Sequence, residues 1–204
     1  MANKASKQVP RSKSAKQREI RLRKQRRSKI RTYLVVAVIV SAVIAGLVIA
    51  FLVERENVEG VVQFDGLSRD HTEEPVEYEQ HPPVGGPHSA TPLTCGVYPD
   101  PVANEHAVHS LEHGAVWITY DPDLAEEDVT ALNALLLSQD DATSRYMILS
   151  PYDDLPEPIM LTAWGRQLTP DGVADPRIQE FIDQYVLGGQ APETGSPCIG
   201  ETMN

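Results

Sequence analysis

Beyond residue 53 the chain contains no lysine. Residues 54–204 hold 28 acids against five arginines (Arg55, Arg69, Arg145, Arg166 and Arg177), a net charge of −23. A surface of that sign repels nucleic acid and attracts cations, so no nucleic-acid partner is expected. Its commonest meaning is solubility. Cysteine is nearly missing: Cys95 and Cys198 are the only two. Histidine is absent from more than three quarters of the chain, and all six fall in the 43-residue window from His71 to His113. The later methionines, Met147, Met160 and Met203, are not clustered near those histidines, which argues against a thioether copper(I) carrier. Charge is absent from Tyr33–Val53, an apolar run broken only by Ser41 and Gly46.

That run sets the topology. Its 21 residues span about 31 Å as a helix, the thickness of a bilayer core. Before it, residues 1–32 carry 13 of the 18 Lys and Arg and one acid, Glu19, for a net charge of +12. Positive flanks stay cytoplasmic. The sequence therefore predicts a basic cytoplasmic arm (1–32), a transmembrane helix (33–53) and an extracytoplasmic domain (54–204) in the cell membrane. A cleaved signal peptide is the alternative, but the basic region and apolar run are both long for one, and no small-x-small site precedes Glu54. The arm suits anionic inner-leaflet lipid more simply than nucleic-acid phosphate. In an oxidising compartment Cys95 and Cys198 are expected to form a disulfide, worth about 4–5 kcal/mol in the chain-entropy model for a loop of this size. The other reading makes Cys95 a thiolate metal ligand.

The outer part is long enough for one core. Residues 54–114 form a loop-rich histidine segment, with seven prolines from Pro75 to Pro101 and Gly85-Gly86 between them. Proline at that density excludes long helices and central strands, and a short strand fits Val61–Phe64. Glu105–His113 suits a short helix ended by Gly114. Residues 115–190 follow as a β-α-β-β-α core: a strand at Ala115–Tyr120, a helix at Leu124–Ser138, strands at Arg145–Leu149 and Ile159–Trp164, and a last helix on the stripe Ile178, Phe181, Ile182, Tyr185 and Val186. Asp175-Pro176 starts that helix and Gly188-Gly189 stops it. Residues 191–204 are a tail. The expected class is α+β, with two helices against a small sheet, a right-handed first crossover and the next two strands an antiparallel pair. No internal repeat is visible.

Glu105-His106-Ala107-Val108-His109-Ser110-Leu111-Glu112-His113-Gly114 packs three histidines and two glutamates into ten positions. On a helix, His106, His109 and His113 lie at about 0°, 300° and 340° and share a face. His109 and His113 have the spacing at which a helix offers two imidazoles to one metal. Glu105 and Glu112 are placed to orient a ligating ring or to ligate. Further ligands must come from the loop, with His71 and His88 the natural candidates and His81 behind them. Imidazole suits copper and zinc alike, so either divalent ion is the expected cofactor. Two plainer readings stand beside this one: chance clustering at a polar surface, and buried histidines that only knit the loop to the sheet. His109-Ser110-Leu111-Glu112-His113 also fits H-x-x-E-H, in which Glu112 would be the general base of a zinc hydrolase. Gly114 leaves that helix at most about two and a half turns, short for such an enzyme.

Pro82-Pro83-Val84-Gly85-Gly86-Pro87-His88, then Cys95-Gly96-Val97-Tyr98, then Ala107 to Tyr120 through His109-Ser110-Leu111-Glu112-His113-Gly114, resemble a bacterial family common in actinobacteria and described only as a domain of unknown function. The resemblance covers most of residues 57–190. It implies a basic N-terminus, one membrane span and an acidic outer domain. It favours His71 (with Tyr78), His88, His109 and His113 as the working set, with His81 and His106 more optional. It implies no activity, and leans towards copper. Three functions follow as expectations: a membrane-anchored metal-binding or metal-delivery module, a zinc hydrolase, or a structural subunit of a membrane complex. The partners expected are the lipid bilayer and either a membrane protein complex or a metal-acceptor protein.

Overall fold

The structure, a computed structural model, describes residues 13–54 and 58–201. The start of the basic arm (1–12), the junction 55–57 and the end of the tail (202–204, with Met203) lie outside the described residues. The chain divides into two compact units, one up to Arg55 and one from Glu56 onward.

The first unit is a single helix, α1 (Lys13–Glu54), of 42 residues. At 1.5 Å per residue it is about 63 Å long. The boundary expected at residue 33 is thus one of composition, while the helix runs through it. Within α1, Arg31–Val48 is long and apolar enough to cross a membrane. Leu34, Val38, Ile39 and Leu47 stand exposed along it, an arrangement that lipid tails tolerate and water does not.

The second unit is a mixed α+β domain around a six-stranded sheet. In chain order its elements are β1 (Val62–Gln63), β2 (Gly96–Val97), α2 (Asn104–Glu112), β3 (Val116–Tyr120), α3 (Glu126–Leu137), α4 (Asp141–Ser144), β4 (Met147–Pro151), β5 (Ile159–Ala163), β6 (Arg166–Leu168) and α5 (Arg177–Tyr185). The sheet order is β1-β6-β5-β3-β4-β2. One strand pairing corrects the sequence reading. β4 and β5 do not pair with each other; they flank β3, parallel on the β4 side and antiparallel on the β5 side. The helix α3 returns the chain for the parallel pair, and the long turn after β4 carries it across β3. β5 finds its antiparallel hairpin partner in β6 instead, which the sequence reading did not separate from the following loop.

β3, β4 and β5 are buried at every position, because both faces of the sheet are covered. On one face Val116, Ile118, Met147, Leu149 and Leu161 pack with Leu132 and Leu136 of α3 and Ile178, Phe181 and Ile182 of α5. On the other, Trp117, Ile148 and Met160 pack with Ala107, Val108 and Leu111 of α2 and with Leu93, Tyr98 and Val102 of the loop. Each such side chain contributes roughly 1.5–3 kcal/mol on full burial. The expectation of two helices against a small sheet is therefore extended: the proline-rich segment and α2 are a further packed layer.

Two helix ends locate the site. α2 ends with His113 as its last αR residue, followed by Gly114 at φ 99°. A β-carbon on Gly114 would sit 3.1 Å from Leu187 Cα, so glycine is required by space as well as by conformation. Leu187 N–H donates to Gly114 O at 2.8 Å. That contact holds Leu187 in the left-handed region at φ 54°. Leu187 therefore takes the turn after α5, where the sequence pointed to Gly188-Gly189. At the other end of α5, Asp175 accepts from Arg177 N–H at 2.9 Å and from its guanidinium, which holds the carboxyl well below the usual range.

Cys95 and Cys198 are disulfide-bonded, with Cα atoms 5.5 Å apart and a sequence separation of 103. The alternative of Cys95 as a thiolate ligand is thereby removed.

Candidate metal centre

α2 and the loop in front of it bring His71, His88 and His109 together, with one ring nitrogen from each within 4.8 Å of the others. His88 and His109 are buried and His71 is exposed. The loop is fixed from both sides. Thr72 N–H donates to His88 O at 2.8 Å and His88 N–H to Asp70 O at 3.0 Å, so the segments that carry His71 and His88 are zipped by their backbones. Gly85 and Gly86 precede His88 with φ of 144° and 115°. A β-carbon on Gly85 would lie 2.7 Å from Leu67 and 3.3 Å from Trp164; only glycine lets the turn press this close. The His71 ring stacks on His109 with centroids 5.1 Å apart and planes within 5°. His88 meets both edge-on, at 4.9 and 5.1 Å.

Three rings are anchored at Nδ1 by backbone carbonyls. His88 Nδ1 lies 2.7 Å from Gly86 O, His109 Nδ1 2.6 Å from Ser89 O, and His113 Nδ1 2.9 Å from Pro197 O. A carbonyl only accepts, so each Nδ1 carries the proton, and the neutral rings of His109 and His113 have their lone pairs on Nε2. In His109 and His113 those Nε2 atoms face each other at 2.9 Å. Two lone pairs at that distance repel unless a shared proton or a metal cation lies between or beside them. Both rings are buried, so water cannot dilute the repulsion. Burial lowers the pKa of His109, the hydrogen bond to Ser89 opposes this, and the neighbouring His113, His88 and His71 lower it further. The neutral form so favoured is the ligating form.

His88 differs. Its Nε2 lies 3.0 Å from Glu112 Oε2, an acceptor, so both ring nitrogens of His88 face acceptors and neither holds a free lone pair in this arrangement. The other oxygen of Glu112 accepts from Arg69 Nε at 3.0 Å. Glu112 is buried, and both its oxygens are engaged in orienting neighbours. Arg69 also lies 3.7 Å from Glu193, whose second oxygen is 3.8 Å from His113 Nε2.

The remaining sequence candidates have other partners. Glu105 accepts from Val76 N–H at 3.0 Å. His106 turns to Thr91 O at 2.7 Å, and His81 to Tyr152 Oη at 3.3 Å. His113 lies beside the three-histidine group and touches it through His109. Sequence reasoning missed Arg69, Glu193 and the carbonyls of Ser89 and Pro197. Arg69 was one of only five arginines in the acidic part, two residues before His71, and that scarcity was the available signal.

A family model described as "Protein of unknown function (DUF3105)" matches residues 70–200. No curated protein and no solved structure matches the chain.

Proposed function

The chain belongs to this family of unknown function, and from its own residues we propose that it is a membrane-anchored, extracytoplasmic metal-binding protein for copper or zinc, serving metal delivery or assembly. The observation that supports this reading best is the pair of Nε2 atoms of His109 and His113 at 2.9 Å, beside the convergent His71 and His88. A first-row divalent ion bound at about 2.0–2.1 Å relieves the repulsion between their lone pairs. Glu112, itself held by Arg69, takes the Nε2 of His88, so ligation by His88 requires that contact to give way to the ion. The zinc-hydrolase alternative finds no support at Glu112, whose oxygens are both taken.

The test is metal content. Full-length protein purified in detergent without chelator and measured by mass spectrometry is expected to hold about one equivalent of Cu or Zn per chain. Metal-free protein that binds neither ion on addition ends the proposal.

An extracytoplasmic location is supported by α1 and the disulfide. The apolar stretch of α1 and the basic residues before it favour an arm inside by the positive-inside rule, and a disulfide persists in an oxidising space. A phosphatase fused after Asn204, active only outside the cytoplasmic membrane, is expected to be active. An inactive phosphatase together with a fluorescent cytoplasmic reporter at the same position would reverse the orientation.

A further inference from the structure

The C-terminal tail is the second support of the histidine centre, and one covalent bond ties it down. Glu193 N–H donates to Glu112 O and Gly195 N–H to His113 O, both at 3.0 Å. These bonds cap the carbonyls at the end of α2. Pro197 O then takes the Nδ1 proton of His113 at 2.9 Å. The next residue is Cys198, bonded to Cys95, and Cys95 N–H donates to Cys198 O at 3.1 Å. Beyond it the tail pairs with the loop again, Thr94 N–H to Glu201 O and Glu201 N–H to Pro92 O, both at 2.8 Å. The carbonyl that sets the tautomer and direction of His113 is thus one residue from the disulfide.

The same bond faces a cavity of about 320 Å³ lined by Thr94, Cys95, Arg145, Tyr146, Pro197, Cys198 and Ile199. Cys198 is buried, while Cys95 is half-buried, so Cys95 is the more accessible partner for an incoming thiolate. Arg145 supplies positive charge on the same wall, which favours a thiolate leaving group.

We propose that this cavity is a thiol–disulfide exchange site for a dithiol reductant, and that the Cys95–Cys198 bond controls the cation affinity of the histidine centre by holding Pro197 against His113. The proposal rests on the metal-binding reading above. In the exchange, a thiolate of the dithiol attacks Cys95 Sγ. The Cys95–Cys198 bond breaks, and Cys198 leaves as a thiolate and takes up a proton. The second thiol of the reductant then attacks the mixed disulfide and releases Cys95. The reductant ends as a disulfide, having passed two electrons and two protons to the two cysteines. Pro197 is then free to leave His113, and the centre loses an oriented donor.

The experiment is a Zn²⁺ titration of full-length protein by calorimetry, zinc being redox-silent. Four proteins are compared: the oxidised wild type, Cys95→Ser with Cys198→Ser, His113→Ala, and all three substitutions together. Loss of the disulfide is expected to weaken Zn²⁺ binding at least tenfold. His113→Ala should weaken it similarly, and the triple variant no further, because both changes remove the same donor. Wild-type affinity in the double-serine protein, or losses that multiply in the triple variant, overturns the coupling and leaves the metal centre standing. Wild-type protein that binds neither Zn²⁺ nor Cu²⁺ overturns the centre itself. Should the double-serine protein misfold, wild type reduced with a phosphine and blocked with iodoacetamide takes its place, with near-ultraviolet circular dichroism of Trp117 and Trp164 reporting the fold. Collapse of that signal in both forms overturns the proposal, since the bond would then hold the domain together and not the ligand.

Discussion

His109→Ala combined with His113→Ala leaves the full-length protein folded and without copper or zinc. Loss of one supporting residue at a metal site costs about 10–100-fold in affinity; loss of two donors costs more, and stoichiometric binding at micromolar metal should disappear. The fold is expected to survive. The substitutions leave Ser89 O and Pro197 O without donors, about 1 kcal/mol each if water reaches them. They also remove the opposed nitrogens at 2.9 Å, which stabilise nothing in the metal-free protein. Metal content by mass spectrometry, with far-ultraviolet circular dichroism as the folding control, decides the matter. Unchanged stoichiometry in the double variant would mean that these rings only pack.

Trp117→Ala carries the second large effect, on stability. Trp117 is fully buried in the layer between the sheet and α2. Its indole N–H donates to Ser150 Oγ at 2.9 Å, and its ring meets Tyr152 edge-on at 5.7 Å. Truncation of a buried tryptophan costs about 3–5 kcal/mol, and the buried Ser150 hydroxyl is left unpaired. Domains of this kind have only about 5–15 kcal/mol in total. At about 2–4 °C per kcal/mol, the thermal midpoint should fall by roughly 6–20 °C. A fall of less than about 3 °C in a circular-dichroism melt would show that the layer beneath α2 is not a packed core. Because Ala107, Val108 and Leu111 rest on that layer, the same substitution should also weaken metal binding.

The regular elements of the second unit were legible because their periodicity is local. Val116 to Tyr120 alternates between two buried faces, and Ile178, Phe181 and Ile182 mark one side of α5, so pattern alone locates both. The order of strands was not legible. Nothing local distinguishes a β5 that pairs with β4 from one that crosses over to β3; the choice depends on the turn and on which edge is open. The second layer was missed for a related reason. Proline excludes regular structure from residues 75–101, but it does not prevent Leu93, Tyr98 and Val102 from being buried.

At the site, the confinement of histidine to one window pointed to the segment where His71, His88 and His109 come together, and helical spacing placed His109 beside His113. Which loop histidine reaches α2 was a tertiary question. His88 does so because Gly85 and Gly86 turn the chain hard against Trp164; His81, only a few residues earlier, meets Tyr152 instead. The carbonyls that orient the rings carry no side-chain signature, and sequence alone has no means of finding them.

Those carbonyls bear on how quickly an ion would come and go. The Gly86, Ser89 and Pro197 carbonyls each hold a ring, so a ring that swings away gives up a hydrogen bond to the main chain, and the carbonyls keep their places only while the loop and tail stay closed. Side-chain rotamers flip in nanoseconds or less, whereas loop and local-unfolding motions extend from nanoseconds to seconds. An ion at this centre would therefore be retained for as long as the polypeptide around it stays closed. Its exit rate would follow the breathing of the loop and tail, and a protein accepting that ion would gain most by gripping those segments.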